Sequence, residues 1–163
     1  MGIVHIRVDD RLIHGQVATM WTNYLHVNRI MVIDDKASSD DFLKTSLKLA
    51  VPQGIALSVL SVDKAAQRIN DGIYNAQRVF VILGGVETLY RLINAKVCIK
   101  EVNLGNITKT EGKVKICPTV SVTYKEAEKL LELNKKGIKI IYQLIPQHDA
   151  ENLAGALKKT IGG

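Results

Sequence analysis

The stretch Ile3-Val4-His5-Ile6-Arg7-Val8-Asp9-Asp10-Arg11-Leu12-Ile13-His14-Gly15-Gln16 carries most of the fold prediction. Its opening residues alternate in a way that predicts a β-strand with Val4, Ile6 and Val8 on one face. A short polar loop follows, and then apolar residues at helical spacing predict a helix over 17–25. A strand, a loop and a helix in this order form the junction at which an open α/β sheet presents reactive side chains.

The loop of this junction contains groups suited to holding a phosphoryl group. The neutral imidazole of His14 is a competent nucleophile toward phosphorus near neutral pH. Arg11 would neutralise the oxygens of the transferring group with its planar guanidinium. Gly15 leaves room for the backbone N–H groups of Gly15 and Gln16 at a helix start, where anions are favoured. One interpretation is therefore a phosphoacceptor at His14, with Arg11, Gly15 and Gln16 binding the phosphate.

Other interpretations of the same loop stay open. A histidine in such a loop is also common as a solvated turn residue. Asp9 or Asp10 would either bond the second ring nitrogen of His14 or anchor the loop, and Asp10 is also a candidate for the phosphate site. A metal hydrolase built on Asp9, Asp10 and His14 is disfavoured, because this spacing is not a recurring ligand pattern and Arg11 would repel a cation. The sequence therefore predicts no bound metal.

The remaining chain continues to alternate apolar strands with amphipathic helices. The other predicted strands are residues 30–33, 55–60, 79–83, 98–104, 113–116 and 138–144. The other predicted helices are one ending at 49, 62–69, 86–93, one ending at 134, and 150–159. This order predicts an α/β fold with a doubly wound, mainly parallel sheet and helices on both faces, in a single domain over 1–163.

Three helix starts have recognisable capping residues. Ser38 with Asp41 resembles a capping box for the helix that ends at residue 49. Thr123 with Glu126 forms the same pattern for the helix that ends at residue 134. Asp149 is a natural N-cap for the last helix.

Glycines elsewhere provide a second candidate wall for the phosphate site. Gly84 and Gly85 follow a predicted parallel strand, so they would either line the pocket or form a tight turn before the next helix. Asn103, Gly105 and Asn106 are similar candidates at the end of another strand. None of these stretches gives G-x-G-x-x-G or a Walker A sequence, which disfavours a dinucleotide oxidoreductase and leaves no cofactor predicted.

The other histidines lack the surroundings of His14. His5 alternates with Arg7 on one strand face and is predicted to be structural or half-exposed. His26 follows the first helix and would favour its C-terminal end. Cys98 and Cys117 lie in apolar segments, which predicts reduced core thiols in a cytosolic protein.

Composition excludes some functions and favours others. The net charge of +6 and a pI near 9.3 suggest an anionic partner, but the lysines are scattered and aromatic residues make up 5% of the chain. Nucleic-acid binding is therefore disfavoured, and steering toward an acidic protein is at least as compatible with the charge. The sequence has no apparent secretory leader and no apolar run long enough to span a bilayer, so we expect a soluble protein inside the cell.

The run Arg7-Val8-Asp9-Asp10-Arg11-Leu12-Ile13-His14-Gly15-Gln16-Val17, with Trp21 after it, resembles the signature of the IIB components of the mannose/fructose/sorbose class of the bacterial sugar phosphotransferase system. The resemblance extends through 32–35, 50–52, 102–106 and 145–146. It implies a phosphotransferase that takes phosphate from a phosphohistidine on a IIA protein. That phosphate would then pass to a sugar entering through membrane-embedded IIC and IID partners.

Residue by residue, the resemblance implies that His14 is phosphorylated on Nδ1 and that Arg11 is the arginine of the motif. It implies a cytoplasmic protein held at the inner face of the membrane by IIC and IID. The loop Asp34-Asp35-Lys36 departs from the Asn-Asp-Glu of many relatives. The segments 102–106, 112–113 and 119–122 look nearest to the N-acetylgalactosamine branch, with mannose, fructose and sorbose as alternatives. A non-enzymatic module that binds anions or partner proteins is the alternative function.

Overall fold

Strands and helices alternate along the chain as the hydrophobic pattern predicts. The computed structural model describes residues 2–162. The strands are β1 (Gly2–Asp9), β2 (Arg29–Ile33), β3 (Ala56–Leu60), β4 (Arg78–Leu83), β5 (Glu101–Asn106), β6 (Val114–Cys117), β7 (Val120–Val122), β8 (Lys139–Tyr142) and β9 (Glu151–Asn152). The helices are α1 (Gly15–Leu25), α2 (Asp35–Ser38), α3 (Asp41–Ala50), α4 (Val62–Asn70), α5 (Val86–Asn94), α6 (Tyr124–Lys135) and α7 (Ala154–Gly162).

The main sheet has the strand order β3-β2-β4-β1-β5-β8-β9. Its strands pair in parallel except for the antiparallel pair β8–β9, and β6 with β7 forms a separate antiparallel pair. The predicted α/β fold with a mainly parallel sheet is confirmed. The chain builds outward from β1 first on one side and then on the other, so the carboxyl end of β1 lies at the switch point where such sheets bind ligands.

Both faces of the sheet are covered, which explains the continuous apolar runs of its strands. Along β4, Val81 belongs to one core cluster and Phe80 to the other, because alternate side chains point to opposite faces. Leu130 of α6 lies in the cluster with Val81, together with residues of α4, α5 and α7. Trp21 of α1 and Leu47 of α3 lie in the cluster with Phe80.

The predicted alternation of β1 is wrong at Val4. The pairing of β1 with β4 shifts between Ile3 and His5, which leaves Val4 as an extra residue. Val4 therefore packs with the Trp21 cluster, whereas Ile6 and Val8 belong to the opposite cluster. A one-residue bulge reverses the faces of the residues before it, and nothing in the local apolar pattern records it.

Helix starts agree with the sequence in one case and differ in two. Thr123 and Glu126 form the predicted capping box, with reciprocal bonds of 3.0 and 2.9 Å. The predicted cap Ser38 instead ends the short helix α2, and Asp40 caps α3 by accepting a hydrogen bond from the Leu43 backbone. Several polar residues in this segment are able to act as N-caps. Asp34 caps α2, and Asp40 caps α3.

The last helix also begins later than predicted. Asp149 is not its cap, because β9 comes between residue 149 and α7 and pairs with β8. Asn152 instead accepts a hydrogen bond of 2.9 Å from the backbone of Ala154. Likewise, β5 begins at Glu101 rather than at residue 98, and β8 ends at Tyr142 rather than at residue 144.

The predicted core thiols are only partly correct. Both cysteines are free, but Cys98 is exposed and Cys117 is half-buried. Burial raises the pKa of the Cys117 thiol to about 11. Cys117 is therefore a poor nucleophile near neutral pH. Among the helices of residues 2–162, none is long and apolar enough to cross a membrane.

Candidate functional site

The loop between β1 and α1 raises His14 to the surface. Leu12 and Ile13 are buried, with exposures of 7% and 6%, and fasten the loop to the Trp21 side of the sheet. His14 follows as the N-cap residue of α1, with extended backbone angles and an exposed ring. Its side chain makes no capping bond, so the ring nitrogens are available to a reacting group.

The first turn of α1 provides a favourable environment for an anion. Gly15 has a φ of +51°, which a side chain would disfavour, and a Cβ at this position would meet no atom within 4 Å. Gln16 is exposed beside it. The first turn contains no acidic residue, so its unpaired N–H groups and the helix dipole are not neutralised by the chain itself.

Arg11 is oriented by Asp9. The Asp9 Oδ1 atom accepts hydrogen bonds from the backbone N–H and from Nε of Arg11, at 3.0 and 3.2 Å. Its Oδ2 atom accepts a bond of 3.3 Å from Nη2 of Arg11. The Asp9 side chain is 4% exposed, whereas that of Arg11 is 35% exposed. Asp9 thus holds one edge of the guanidinium and leaves part of Arg11 accessible from solvent.

Asp10 ties the same loop to the end of β5. It accepts hydrogen bonds from the side chain of Asn106, at 2.9 Å, and from the backbone and hydroxyl of Thr108, at 2.7 and 3.1 Å. Of the two roles left open by the sequence, the structure gives both carboxylates the anchoring one. Within residues 2–162, neither Asp9 nor Asp10 bonds the ring of His14.

Beneath the loop lies Arg7, which is 2% exposed. Its Nε atom is 3.5 Å from Oδ2 of Asp9, and its Nη1 atom donates to the carbonyl oxygens of Gln143 and Leu144, both at 3.3 Å. A Cβ on Gly105 would lie 2.0 Å from Arg7 Cζ, so only glycine leaves room for this guanidinium. Burial lowers the pKa of Arg7, while Asp9 acts in the opposite direction.

The segment after β8 is fastened to the same region. Trp21 of α1 donates from Nε1 to the carbonyl of Leu144 at 3.0 Å. Asn103 of β5 exchanges hydrogen bonds with the backbone of Gln143, at 2.8 and 2.9 Å. These bonds explain why β8 ends before Gln143: the backbone groups that would extend the strand bond to side chains instead.

His5 lies on the same strand face as Arg7 but in a different environment. Its ring stacks on Trp21, with centroids 4.4 Å apart, and lies 3.4 Å from the side-chain nitrogen of Asn103. Burial, and to a lesser extent the charge of Arg7, lowers the pKa of His5 from 6.5 to about 4. His5 is therefore a neutral structural residue, as expected. His26 is the exposed C-cap residue of α1.

Gly84 and Gly85 follow β4, which is adjacent to β1. A Cβ on Gly84 would lie 2.2 Å from Oδ1 of Asp34, so the space beside this glycine is taken by a carboxylate. Asp34 uses its other oxygen to cap α2. Gly85 is the N-cap residue of α5 and has open space around it. A carboxylate at this turn disfavours an anion there, which supports the tight-turn interpretation of Gly84.

The reactive loop is predictable from adjacent residues, but the residues that support it are not. Arg7 was part of the motif, yet its local pattern gave no sign that it would contact a segment more than a hundred residues away. An arginine in an otherwise apolar strand indicates a buried charge, and a buried charge needs partners elsewhere in the fold. Among residues 2–162 there is no group of three or more His, Cys, Asp or Glu side chains arranged to hold a metal ion.

The chain is similar to known proteins along nearly its whole length. A family model described as PTS system sorbose subfamily IIB component matches residues 3–161. The chain is 37% identical over 134 residues to the mannose-specific EIIAB component of Escherichia coli (strain K12), covering 82% of this chain and 42% of that protein. It therefore spans less than half the length of that relative. It is 28% identical to the sorbose-specific EIIB component of Lacticaseibacillus casei, over 99% of each.

Solved structures give the same result for the whole fold. The IIBSor domain of the sorbose permease from Klebsiella pneumoniae matches with a TM-score of 0.92 and 28% identity, over 98% of each chain. The N-acetylgalactosamine-specific IIB component 1 from Escherichia coli matches with a TM-score of 0.87 and 27% identity, over 92% of this chain and 98% of that one.

Proposed function

Because this chain belongs to the sorbose subfamily of IIB components of the phosphotransferase system, we propose that His14 carries a phosphoryl group from a IIA protein to a sugar. The observation that supports this most strongly is the exposed His14 ring at the start of α1, in the same loop as Arg11, whose guanidinium is held by Asp9. Phosphoryl transfer requires positioning and charge neutralisation more than covalent chemistry from the protein. This site supplies both.

The proposed reaction has a balanced first step. Nδ1 of neutral His14 attacks the phosphorus of the donor phosphohistidine, and a new N–P bond forms as the donor N–P bond breaks. The donor imidazole retains the electron pair of the broken bond. Arg11 and the N–H groups of Gly15 and Gln16 neutralise the phosphoryl oxygens during transfer. In the second step the oxygen of a sugar hydroxyl forms a bond to phosphorus as the Nδ1–P bond of His14 breaks. Nδ1 keeps the electron pair of that bond, the hydroxyl proton is released to solvent, and His14 returns to its neutral form.

Other parts of the proposal concern partners and location. We propose that the donor is a phosphorylated IIA protein and that membrane IIC and IID components present the sugar. The protein would then be cytoplasmic and peripherally associated with the membrane through IIC and IID. We propose further that 1–163 is a single IIB domain. Asp10, Gly84 and Gly85 remain candidates for the phosphate site, although the contacts of Asp10 and Gly84 support structural roles.

The sugar is proposed on narrower grounds. Sorbose, mannose, fructose and N-acetylgalactosamine all appear in the names of similar proteins. The segments 102–106, 112–113 and 119–122 favour the N-acetylgalactosamine branch. Phosphorylation coupled to uptake, measured with the native IIC and IID partners over a panel of hexoses and amino sugars, tests this branch. Loss of phosphate from His14 to mannose or sorbose, and to no amino sugar, would refute the branch and leave the carrier function intact.

Incubation with a ³²P-labelled phosphorylated IIA protein tests the carrier function. We expect an acid-labile, alkali-stable adduct in the native chain and none in His14→Ala. His26→Ala and His148→Ala are matched controls, because both residues are exposed histidines in loops or at a helix end, and both variants should be labelled normally. Label that persists in His14→Ala would refute the assignment. An unlabelled native chain would favour a non-enzymatic binding module.

A bound anion would test the cradle independently of the partner proteins. We expect a crystal soaked in phosphate or sulfate to show the anion beside His14 and Arg11, at the carboxyl end of β1. The same map would reveal whether Gly85 donates its N–H to the anion. Density at other positions, with an accessible and empty loop, would contradict the phosphate-binding roles of Gly15 and Gln16.

A further inference from the structure

Arg7 is an unusual residue for the interior of a parallel sheet. It is 2% exposed, and neither its Nε nor its Nη2 atom has a hydrogen-bond partner among residues 2–162, although Nε forms an ion pair with Asp9. Burying an incompletely paired charge costs free energy that an apolar side chain would not. The fold nevertheless makes room for Arg7 with Gly105 and supplies two carbonyl oxygens to it. This arrangement suggests a role besides packing.

We propose that Arg7 is a positioning residue for phosphoryl transfer, acting through Asp9 on Arg11. The inference rests on the proposed carrier function of His14. Arg7 does not reach the surface, so it has no direct contact with the phosphoryl group. Its influence passes through the carboxylate that it shares with Arg11.

The charges of this cluster explain why a second arginine is needed. Asp9 binds Arg11 at both of its oxygens, and this pair alone is electrically neutral. Arg7 approaches Oδ2 of Asp9 from the buried side at 3.5 Å. The cluster of Arg7, Asp9 and Arg11 then has one net positive charge, and Arg11 is its exposed part. Asp9 can therefore orient Arg11 without cancelling its attraction for the phosphoryl oxygens.

The attachments of Arg7 also fix where this charge is held. Its Nη1 atom is bonded to the carbonyl oxygens of Gln143 and Leu144, and Gly105 lies against the guanidinium carbon. These contacts come from β5 and from the segment after β8. They fix the Arg7 guanidinium relative to the sheet, and Arg7 in turn helps to fix the carboxylate of Asp9. A positioned guanidinium loses less freedom when the phosphoryl group arrives.

The test compares Arg7 with a half-buried arginine, Arg78, under single-turnover conditions. Arg7→Met should lower the rate constant at saturating phosphorylated IIA by at least about tenfold, while the half-saturating IIA concentration stays the same. Arg78→Met is the matched control: Arg78 also donates to two backbone carbonyls, those of Leu25 and His26, but it begins β4 and so lies at the end of the sheet away from the loop of His14. It should transfer within about twofold of the native rate.

A second substitution separates charge coupling from general damage. Asp9→Asn added to Arg7→Met restores one net positive charge to the cluster. If Arg7 acts by offsetting Asp9, the double variant should transfer at least about threefold faster than Arg7→Met alone. A merely structural role predicts a double variant at least as slow as the single one, and that result would overturn the inference.

Folding is checked by circular dichroism and by a thermal melt of each variant. Should Arg7→Met not fold, Arg7→Lys takes its place, because lysine keeps the charge but lacks the planar fork that reaches Asp9 and two carbonyls. Its saturating rate should fall at least about threefold. A native rate in either folded variant would overturn the inference. If the carrier function itself were wrong, the native chain would accept no phosphate, and this result is distinct from a native rate in an Arg7 variant.

Discussion

The two halves of β1 bury ionisable side chains in opposite ways. In the amino-terminal half, His5 lies against Trp21 and is neutral, because burial has lowered its pKa to about 4. In the carboxyl-terminal half, Arg7 is buried more deeply and is held by a carboxylate and two carbonyls. A guanidinium does not lose its proton in a protein, so it must be given partners instead. The comparison shows that charge is preserved in the half that leads to the reactive loop.

The charged half is expected to tolerate the least change. Gly105→Ala places a Cβ 2.0 Å from Arg7 Cζ and forces the guanidinium away from its partners. Breaking a buried ion pair in this way should lower the free energy of unfolding by on the order of 3–5 kcal/mol. Urea unfolding measures the change. Gly85→Ala is the control: its Cβ would meet no atom within 4 Å, so it should lose only the preference for glycine over alanine at a helix N-cap, about 1 kcal/mol. Equal stability of the two variants would contradict the packing described for Arg7.

The neutral half of β1 should make the free energy of unfolding depend on pH. The pKa of His5 is about 4 in the folded chain and 6.5 without the environment of the fold, so the unfolded chain takes up the proton first. Stability from neutral His5 is complete above pH 6.5 and is lost as the pH falls toward 4, by on the order of 3 kcal/mol. His5→Phe keeps a ring against Trp21 and should remove this part of the acid dependence. Unfolding free energies of both proteins at pH 7, 6, 5 and 4 test it; parallel curves would refute it.

At the exposed end of the charged half, function should change more than stability. Arg11→Ala should slow phosphoryl transfer by about one to two decades, since a charged hydrogen bond is worth about 1.5–3 kcal/mol. Arg11→Lys should recover part of the rate, because a point charge does not reproduce the planar fork. Rapid-quench transfer assays and thermal melts on the same samples distinguish rate from folding. A native rate in the alanine variant would remove Arg11 from the mechanism.

The smallest effect is expected just beyond the strand, at the start of α1. Gly15→Ala puts a Cβ on a residue with a φ of +51°, at a cost of about 1–2 kcal/mol in unfolding free energy. Gly155→Ala in the first turn of α7 is the control and should stabilise by at most about 0.5–1 kcal/mol, because that glycine has helical backbone and open space around it. If both variants were stabilised, the backbone strain at Gly15 would be absent.

Much of the fold was predictable because its signals are local. The parallel strands and most helices follow from apolar runs and helical spacing, and Thr123 with Glu126 marks a helix start within four residues. The Val4 bulge and strand β9 were missed, because pairing with distant strands decides them. Competition between neighbouring polar residues moved the cap of α3 to Asp40.

In the candidate site, too, the residues of the local motif were predictable and the contacts with distant residues were not. The loop motif identified His14 and Arg11 from adjacent residues, and it placed them at the carboxyl end of the first strand. The partners of Asp9 and Asp10 were left open, because Thr108 and Arg7 compete for carboxylates that lie side by side in the sequence. The alternation of β1 puts Asp9 on the same face as Arg7. No local pattern predicts that this face is buried at Arg7 or that Asp10 bonds to Thr108.

The bonds of Arg7 and Trp21 to the segment after β8 set an order on folding. They join residues separated by 136, 137 and 123 positions in the chain. Contacts that close such long loops form late, because chain entropy must be overcome before they contribute. During synthesis the loop of His14 therefore emerges among the first residues. It lacks its support until β8 has joined the sheet. A chain that stops short of residue 143 would display the motif without the structure that holds it.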